Sequence, residues 1–191
     1  MFWKSKAQNE DEIIVRQANP SDARGGIISC MQSVMDERKY LVSEYYLLTE
    51  RGGEQERIRN PDDLTLVCEH RKEIVGVLTV QRGGMYRKNR HVGGTMGIAI
   101  KAGYRHRGGL GTRMITEAIE WCRKQGILKL NLEVFSSNTN AISLYEKIGF
   151  EREGVRRKQF IIDGEYVDDI LMTYWTMPEV LNGGVEGQQK Q

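Results

Sequence analysis

The stretch Met96-Gly-Ile-Ala-Ile-Lys-Ala-Gly-Tyr-Arg-His-Arg-Gly-Gly-Leu-Gly-Thr112 decides the fold of this chain. In its first part, apolar side chains occupy every second residue: Met96, Ile98 and Ile100. Such alternation is typical of a strand with one buried face. Beyond the glycines, apolar residues recur at helical spacing: Leu110, Met114, Ile115, Ala118 and Cys122. The stretch therefore predicts a strand, a glycine-rich turn and a helix in direct succession.

The turn has the features of an anion-binding site. Gly108, Gly109 and Gly111 allow a ligand to approach the backbone closely, because no Cβ stands in the way. The free N–H groups and the positive dipole end of the following helix favour an anion. Basic side chains add charge on the same side: Arg105, His106 and Arg107. We therefore expect a phosphate, and above all a pyrophosphate, at this turn.

Two common phosphate-binding motifs do not fit the turn. A P-loop ends in Gly-Lys-Ser/Thr, and the chain contains no Gly-Lys dipeptide. The dinucleotide-binding fingerprint needs a third glycine, where this chain has Met114. The turn instead resembles the Gln/Arg-x-x-Gly-x-Gly/Ala turn of the Gcn5-related N-acetyltransferases (GNAT). Two alignments are open, one with His106 at the Gln/Arg position and one that starts from Tyr104-Arg105 with a turn one residue longer.

A second motif resembles the same family. Residues 138–150, Asn-Thr-Asn-Ala-Ile-Ser-Leu-Tyr-Glu-Lys-Ile-Gly-Phe, are similar to its Asn-x-x-Ala-x-x-Leu-Tyr-x-x-x-Gly-Phe. From the residues alone, Asn138 or Asn140 caps a short helix and Gly149 ends it. Both motifs stand in the order and spacing of the family. The resemblance extends over residues 12–177 and is closest in the second half of that range.

The resemblance implies that acetyl-coenzyme A (acetyl-CoA) is the co-substrate. In the family, the glycine turn binds its pyrophosphate, and the preceding strand offers backbone groups to the pantetheine arm. The implied cofactor-binding residues of this chain are Ile98, Ala99, Ile100, His106, Arg107, Gly108, Gly109, Leu110, Gly111, Thr112 and Asn138. For Asn138, a purely structural role as a helix cap is equally open. No metal is expected, because no zinc-type ligand spacing occurs.

The resemblance also implies a catalytic acid. Tyr145 stands where family members place the group that protonates the leaving thiolate, and a reference pKa near 10 keeps a tyrosine neutral at pH 7. The family's glutamate on the cofactor strand is missing, since that strand begins Val-Gly-Gly-Thr. By elimination, the candidates for a general base are Glu37, His91 and Glu133, with ordered water as the alternative.

Composition places the chain among ordinary globular proteins. It has 191 residues, of which 39% are hydrophobic and 28% charged, and a formal net charge of +2. This balance gives no case for nucleic acid as a partner. Three dispersed cysteines form no disulfide framework, and Cys68 and Cys122 are expected to be buried. Without a signal peptide or a long apolar run, we expect a cytoplasmic protein that does not enter a membrane.

The order of the remaining elements predicts the fold class. Residues 12–177 are expected to form a single α/β domain, with a central twisted mixed sheet of six to seven strands and helices on both faces. Residues 1–11 are expected to be flexible and residues 178–191 to be disordered. Helices are expected over 21–38, 41–49, 54–59 and 110–125, and strands over 13–18, 64–69, 73–81, 92–100, 127–135, 150–162 and 165–175.

Three functions remain open from the sequence. The first is an N-acetyltransferase that acts on a small amine, such as an amino acid or a polyamine. Its acceptor-binding site is expected to be lined by residues between Ser21 and Arg59. The hairpin from Gly154 to Met172 resembles a subgroup that contains amino-acid, spermidine and ribosomal-protein acetyltransferases. The second function is an acetyltransferase of protein N-termini. The third is a non-catalytic acyl-CoA-binding module. A homodimer is compatible with each of them.

Overall fold

The computed structural model describes residues 12–43, 53–83, 88–90, 92–106 and 108–181. Within these ranges one sheet contains seven strands: β1 Ile14–Gln17, β2 Leu64–His70, β3 Glu73–Arg82, β4 Gly93–Ile100, β5 Lys129–Phe135, β6 Glu151–Ile162 and β7 Glu165–Trp175. Their order across the sheet is β1-β2-β3-β4-β5-β7-β6. All neighbouring strands are antiparallel except β4 and β5, which are parallel, so the predicted mixed sheet is confirmed.

Helices cover both faces of this sheet, as predicted. The described part of the chain contains α1 Gly26–Met35, α2 Gly53–Arg59, α3 Leu110–Lys124, α4 Thr139–Ile148 and α5 Pro178–Leu181. The apolar stripe of α3 packs into the main core on one face together with α4. On the other face, Ile27 and Cys30 of α1 pack against Val67, Ile74 and Val77. The two helix layers therefore bury both sides of β2 and β3, in the middle of this half of the sheet.

The parallel strands β4 and β5 separate along their length. Their pairing runs from Gly93 opposite Lys129 to Thr95 opposite Asn131 and goes no further. Beyond that point β4 stays paired with β3 as far as Ile100, while β5 stays paired with β7. A gap therefore opens in the middle of the sheet, between the second half of β4 and the second half of β5.

Two hairpin turns follow directly from the sequence. Asp163 and Gly164 both have positive φ angles, 51° and 86°, as a type I′ turn between β6 and β7 requires. The same backbone geometry joins β2 to β3, with φ of 50° at Arg71 and 64° at Lys72. The two turns join strands expected from the sequence, 64–69 with 73–81 and 150–162 with 165–175, and β7 has the predicted bounds.

Three expectations about the ends of elements need correction. The helix expected over 21–38 is broken at Gly25 into a 3-10 turn at Asp22–Arg24 and α1, because glycine lacks the side chain that would favour continuing the helix. The helix expected over 41–49 is absent at residues 41–43, and its remainder lies outside the described residues. The disordered segment expected from residue 178 begins instead with the short helix α5.

Three further expectations concern the cysteines, membrane-spanning helices and the ends of the chain. Cys68 and Cys122 are buried free thiols, as predicted, and burial raises the pKa of each to about 12. Among the described helices, none is both long and apolar enough to cross a membrane. Residues 1–11 and 182–191 lie outside the described residues, so the flexible N-terminal segment, the disorder beyond α5 and the boundaries of the domain stay predictions.

Candidate active site

A cleft lies where β4 separates from β5. It has a volume of about 390 Å³. Its lining comes from α1 and the segment after it, β4, the glycine turn, the start of α3 and α4: Val34, Tyr40, Ile98, Ala99, Ile100, Arg105, His106, Gly109, Leu110, Gly111, Thr112, Asn138, Asn140, Ala141, Leu144 and Tyr145. Since these residues belong to both helix layers, the cleft connects the two faces of the sheet.

The β4 side of the cleft presents backbone hydrogen-bond donors. The N–H group of Lys101, just after β4, donates to the carbonyl of Val75 on β3 over 3.0 Å. Because N–H groups along a strand point alternately to its two sides, those of Ile98 and Ile100 point away from β3 and into the gap. A carbonyl oxygen placed in the gap could accept from them. The splayed strand that the sequence interpretation required is therefore present.

The glycine turn brings further N–H groups to the same cleft. His106, Gly108 and Gly109 have φ angles of 63°, 55° and 64°, in the left-handed region that favours glycine. The first helical bond of α3 runs from the Arg113 N–H group to the Gly109 carbonyl. The N–H groups at the next positions before Arg113, on residues 110–112, therefore have no acceptor inside the helix and are available to an anion.

Gly111 is needed for a reason that the sequence did not reveal. A Cβ atom at this position would lie 3.0 Å from Cδ2 of Leu144 on α4, which is tighter than ordinary van der Waals contact. The glycine therefore allows α3 and α4 to approach each other beside the cleft. At Gly108 and Gly109, by contrast, a Cβ would meet open space, and the positive φ angle is what favours glycine there.

Arg105 connects three parts of the site. Its Nη1 and Nη2 donate to the carboxylate of Glu37 over 2.7 and 2.5 Å, and its Nε donates to the carbonyl of Ile100 over 2.8 Å. The Tyr40 ring lies against the guanidinium at 4.7 Å. Sequence analysis assigned the positive charge of Arg105 to phosphate binding, but in the structure the carboxylate of Glu37 compensates that charge. Arg105 therefore fastens the segment after α1 to the end of β4.

Helix α4 contributes Asn138 and Tyr145. The Oδ1 atom of Asn138 accepts a hydrogen bond from the Ala141 N–H group over 3.3 Å, which is the expected N-cap, and the residue also lines the cleft. Tyr145 is only 6% exposed, and its ring packs against Phe150 with 5.6 Å between the ring centroids. Burial raises the pKa of the Tyr145 hydroxyl to about 12. The hydroxyl is therefore neutral at pH 7 and can donate a hydrogen bond into the cleft.

The three candidates for a general base have different surroundings. Both carboxylate oxygens of Glu37 accept hydrogen bonds from Arg105, so this carboxylate is engaged in a bidentate ion pair. Glu133 lies on β5 two residues beyond the last pair with β4, beside the gap. One of its oxygens lies 2.9 Å from Nη1 of Arg156, and 46% of its side chain is exposed. His91 lies outside the described residues.

The structure brings together most of the residues that the sequence analysis selected. Ten line the cleft: Ile98, Ala99, Ile100, His106, Gly109, Leu110, Gly111, Thr112, Asn138 and Tyr145. Gly108 does not line it, and Arg107 lies outside the described residues. Sequence analysis missed Val34 and Tyr40. Val34 was visible only as part of the apolar stripe of α1, and no local signal marked Tyr40.

Known proteins resemble this chain in sequence and in fold. The sequence model of the acetyltransferase (GNAT) family matches residues 29–150. The L-amino acid N-acetyltransferase AaaT of Escherichia coli is 34% identical over 120 residues, which are 62% of this chain and 72% of that protein. The ribosomal protein bS18-alanine N-acetyltransferase of Escherichia coli is 37% identical over 75 residues, which are 39% of this chain and 50% of that protein. This chain therefore spans half the length of the second relative.

A solved structure shares the fold over nearly all of its length. The GNAT superfamily phosphinothricin acetyltransferase from Sinorhizobium meliloti, in complex with acetyl-CoA, superimposes with a TM-score of 0.75 at 16% identity, covering 85% of this chain and 88% of that one. Within our structure, the part of β4 that has separated from β5, the glycine turn and the capped helix α4 line one cleft. With the family match over residues 29–150, these features show that the chain belongs to the acetyltransferase (GNAT) family and is an N-acetyltransferase.

Proposed function

We propose that the cleft binds acetyl-CoA and that the enzyme transfers its acetyl group to the primary amine of a small molecule, with an amino acid as the leading acceptor. The observation that carries this proposal is the gap between β4 and β5. The N–H groups of Ile98 and Ile100 face the gap, and those of residues 110–112 face its end. This arrangement fits a long ligand with a carbonyl at one end and a pyrophosphate at the other.

Different residues of the cleft bind different parts of acetyl-CoA. The glycine turn, including His106, Gly109 and Gly111, holds the pyrophosphate through backbone N–H groups. Ile98 to Ile100 hold the pantetheine arm, and their N–H groups polarise the thioester carbonyl. The crystallised phosphinothricin acetyltransferase with the same fold contains acetyl-CoA, which supports the choice of this co-substrate.

Transfer needs a base on the acceptor side and an acid on the cofactor side. We assign the base to Glu133 because it borders the gap and only one of its oxygens approaches Arg156. Glu133 takes a proton from the acceptor ammonium, and the freed nitrogen lone pair attacks the carbonyl carbon. As the C–S bond breaks, the buried hydroxyl of Tyr145 donates to the departing thiolate. Each proton transfer of this kind contributes about 10²- to 10⁴-fold to the rate.

The choice of an amino acid rests on the relatives. AaaT acts on L-amino acids by its name, and this chain covers 72% of it. The ribosomal protein bS18-alanine acetyltransferase is similar only over 50% of its length, so it supports a protein N-terminus as the second candidate. Both acceptors present a primary amine beside a carbonyl carbon, and the same base and acid would serve either.

Turnover separates the two candidates. Free CoA release is measured with acetyl-CoA and three sets of acceptors: L-amino acids, polyamines, and a peptide with the N-terminal sequence of ribosomal protein bS18. We expect turnover with amino acids, and its loss in Glu133→Gln. Turnover with the peptide alone would replace the first candidate by the second. Binding of acetyl-CoA without turnover on any acceptor would support the non-catalytic module that the sequence left open.

Location in the cytoplasm, a homodimeric state and the absence of nucleic-acid partners stay predictions from the sequence. The same applies to the lining of the acceptor side between Ser21 and Arg59. In that segment, Val34 and Tyr40 line the cleft, and residues 44–52 lie outside the described residues. Gel filtration coupled to light scattering measures the oligomeric state directly.

A further inference from the structure

A buried carboxylate lies behind the proposed base. Asp169 on β7 is only 1% exposed, and its Oδ2 atom accepts a hydrogen bond from Nη1 of Arg156 on β6 over 2.7 Å. The same Nη1 atom lies 2.9 Å from Oε1 of Glu133 on β5. One nitrogen therefore holds two carboxylates close together. We call Glu133 and Asp169 the carboxylate pair.

Glu133 borders the gap, and Asp169 lies behind it on the same face of the sheet. A Cβ on Gly93 would lie 3.1 Å from Nδ2 of Asn131, so alternate residues of β4 from Gly93 onward share a face with Asn131 and Glu133. Asp169 lies directly opposite Phe135, which is on that face as well. Tyr145 belongs to the core on the other face. The carboxylate pair and the proposed acid therefore lie on opposite faces of the sheet.

The carboxylate pair carries one negative charge in excess of Arg156. The β4 residues that share its face, Thr95, Gly97 and Ala99, are not ionisable. On the hairpin, the nearby carboxylate of Asp168 accepts from the backbone N–H group of Lys158 over 2.7 Å. Burial raises the pKa of Asp169, and the adjacent charge of Glu133 raises it further. The ionisation of Asp169 beside the charge of Glu133 is thus opposed.

We propose that Glu133 and Asp169 act as one proton acceptor, in which Asp169 is a positioning residue that strengthens Glu133 as the base and holds Arg156 in place. This inference rests on the proposed function. When an N–H bond of the acceptor ammonium breaks, an O–H bond forms on Glu133, and the cluster of two carboxylates and one guanidinium becomes neutral. The proton then leaves to solvent, because nearly half of Glu133 is exposed.

Two substitutions with opposite electrostatic effects test the proposal. Asp169→Asn removes a negative charge beside Glu133 and keeps the size of the side chain. The dependence of kcat on pH is measured at saturating acetyl-CoA and acceptor. We expect the acidic limb of this pH profile to move to lower pH by about 1 unit. Arg156→Gln removes the positive charge, so the same limb is expected to move to higher pH. At pH 8, Asp169→Asn is expected to lower kcat by about 10-fold, because a weaker base remains.

A matched control comes from the same hairpin. Glu153→Gln breaks an ion pair of β6 with Lys129, away from the cleft, and is expected to leave the profile unchanged. If both test variants lower kcat equally at all pH values without moving the limb, Asp169 is merely structural and the proposal is overturned. If Asp169→Asn fails to fold, the test rests on Arg156→Gln, whose native side chain is half-exposed. A shift of its acidic limb to higher pH supports the proposal, and any other result overturns it.

The variant Glu133→Gln tests the proposed function separately from the carboxylate pair. If Glu133→Gln retains full turnover, the assignment of the base is wrong. If Glu133→Gln abolishes turnover while neither test variant moves the limb, the base stands and only the carboxylate pair is refuted.

Discussion

Replacing Tyr145 by phenylalanine tests the cofactor side of the mechanism. The substitution removes one hydroxyl and keeps the ring, which is 6% exposed and packs on Phe150. If the hydroxyl donates to the departing thiolate, kcat should fall by about 10²- to 10⁴-fold. This loss corresponds to roughly 3 to 5 kcal/mol of transition-state stabilisation. The affinity for acetyl-CoA and the melting temperature should change little, because the packing of the ring is conserved.

The pH dependence adds a second test of the same residue. Burial raises the pKa of Tyr145 to about 12, so the donating, neutral form is present below that pH and is lost only as the pH rises through it. The wild-type enzyme should therefore show no loss of kcat from Tyr145 ionisation between pH 7 and about 10. A basic limb near the reference value of about 10 that disappears in Tyr145→Phe would contradict the burial argument.

Tyr174→Phe provides the matched control. Its ring packs on Phe150 with 5.4 Å between the centroids, as Tyr145 does from its own side, but Tyr174 does not line the cleft. Steady-state kinetics and calorimetric binding of acetyl-CoA are measured on the wild type and both variants. A decrease in kcat of only a few-fold in Tyr145→Phe would mean that the thiolate leaves unassisted. A large loss of acetyl-CoA affinity would instead assign Tyr145 to binding.

Substitutions at three further residues test the stability of the fold and the support of the cleft. Asn138→Ala should lower the unfolding free energy by about 1 kcal/mol, measured by urea denaturation, because α4 loses its N-cap bond, whereas Asn138→Asp should keep it. Glu37→Gln should raise the KM for the acceptor more than that for acetyl-CoA, since Arg105 then loses its carboxylate partner beside Tyr40; equal changes in both KM values would contradict this. Arg16 lowers the pKa of Asp22, so the stability that this carboxylate adds is present above its unfolded pKa and is lost as the pH falls below it. Asp22→Asn should therefore lower the melting temperature more at pH 7 than at acidic pH, and an equal decrease at both would refute the linkage.

Local signals were sufficient for most of the elements. The hairpin turn at Asp163 and Gly164 needs two residues that tolerate positive φ angles, and the sequence provides them in adjacent positions. The stripe on α3 was equally readable, because its buried side follows the helical period. Such features depend on residues close together in the chain. They could be predicted without knowledge of the tertiary structure.

The parts that escaped prediction depend on residues far apart in the chain. The pair of Arg105 with Glu37 joins residues 68 positions apart, and neither residue carries a local signal of its partner. The carboxylate pair needs β5, β6 and β7 in one register, so Asp169 could not be connected with Glu133 from the sequence. The separation of β4 from β5 was expected only from the resemblance. Gly111 was selected for ligand approach, whereas the structure adds the contact of α3 with α4.

The binding of acetyl-CoA at the glycine turn is the central claim, and thermal unfolding with ligand tests it most directly. At about 100 times Kd, acetyl-CoA should stabilise the wild type by roughly 2.7 kcal/mol. This stabilisation should raise the melting temperature by about 5 to 10 °C. Gly111→Asp should abolish the increase by placing a negative charge beside the phosphate. Because a Cβ at this position also contacts Leu144, the melting temperature of each unliganded variant is measured first. Gly25→Asp, which adds the same charge in open space at the start of α1, should retain the increase. An increase with ATP or NAD and none with acetyl-CoA or CoA would contradict the account.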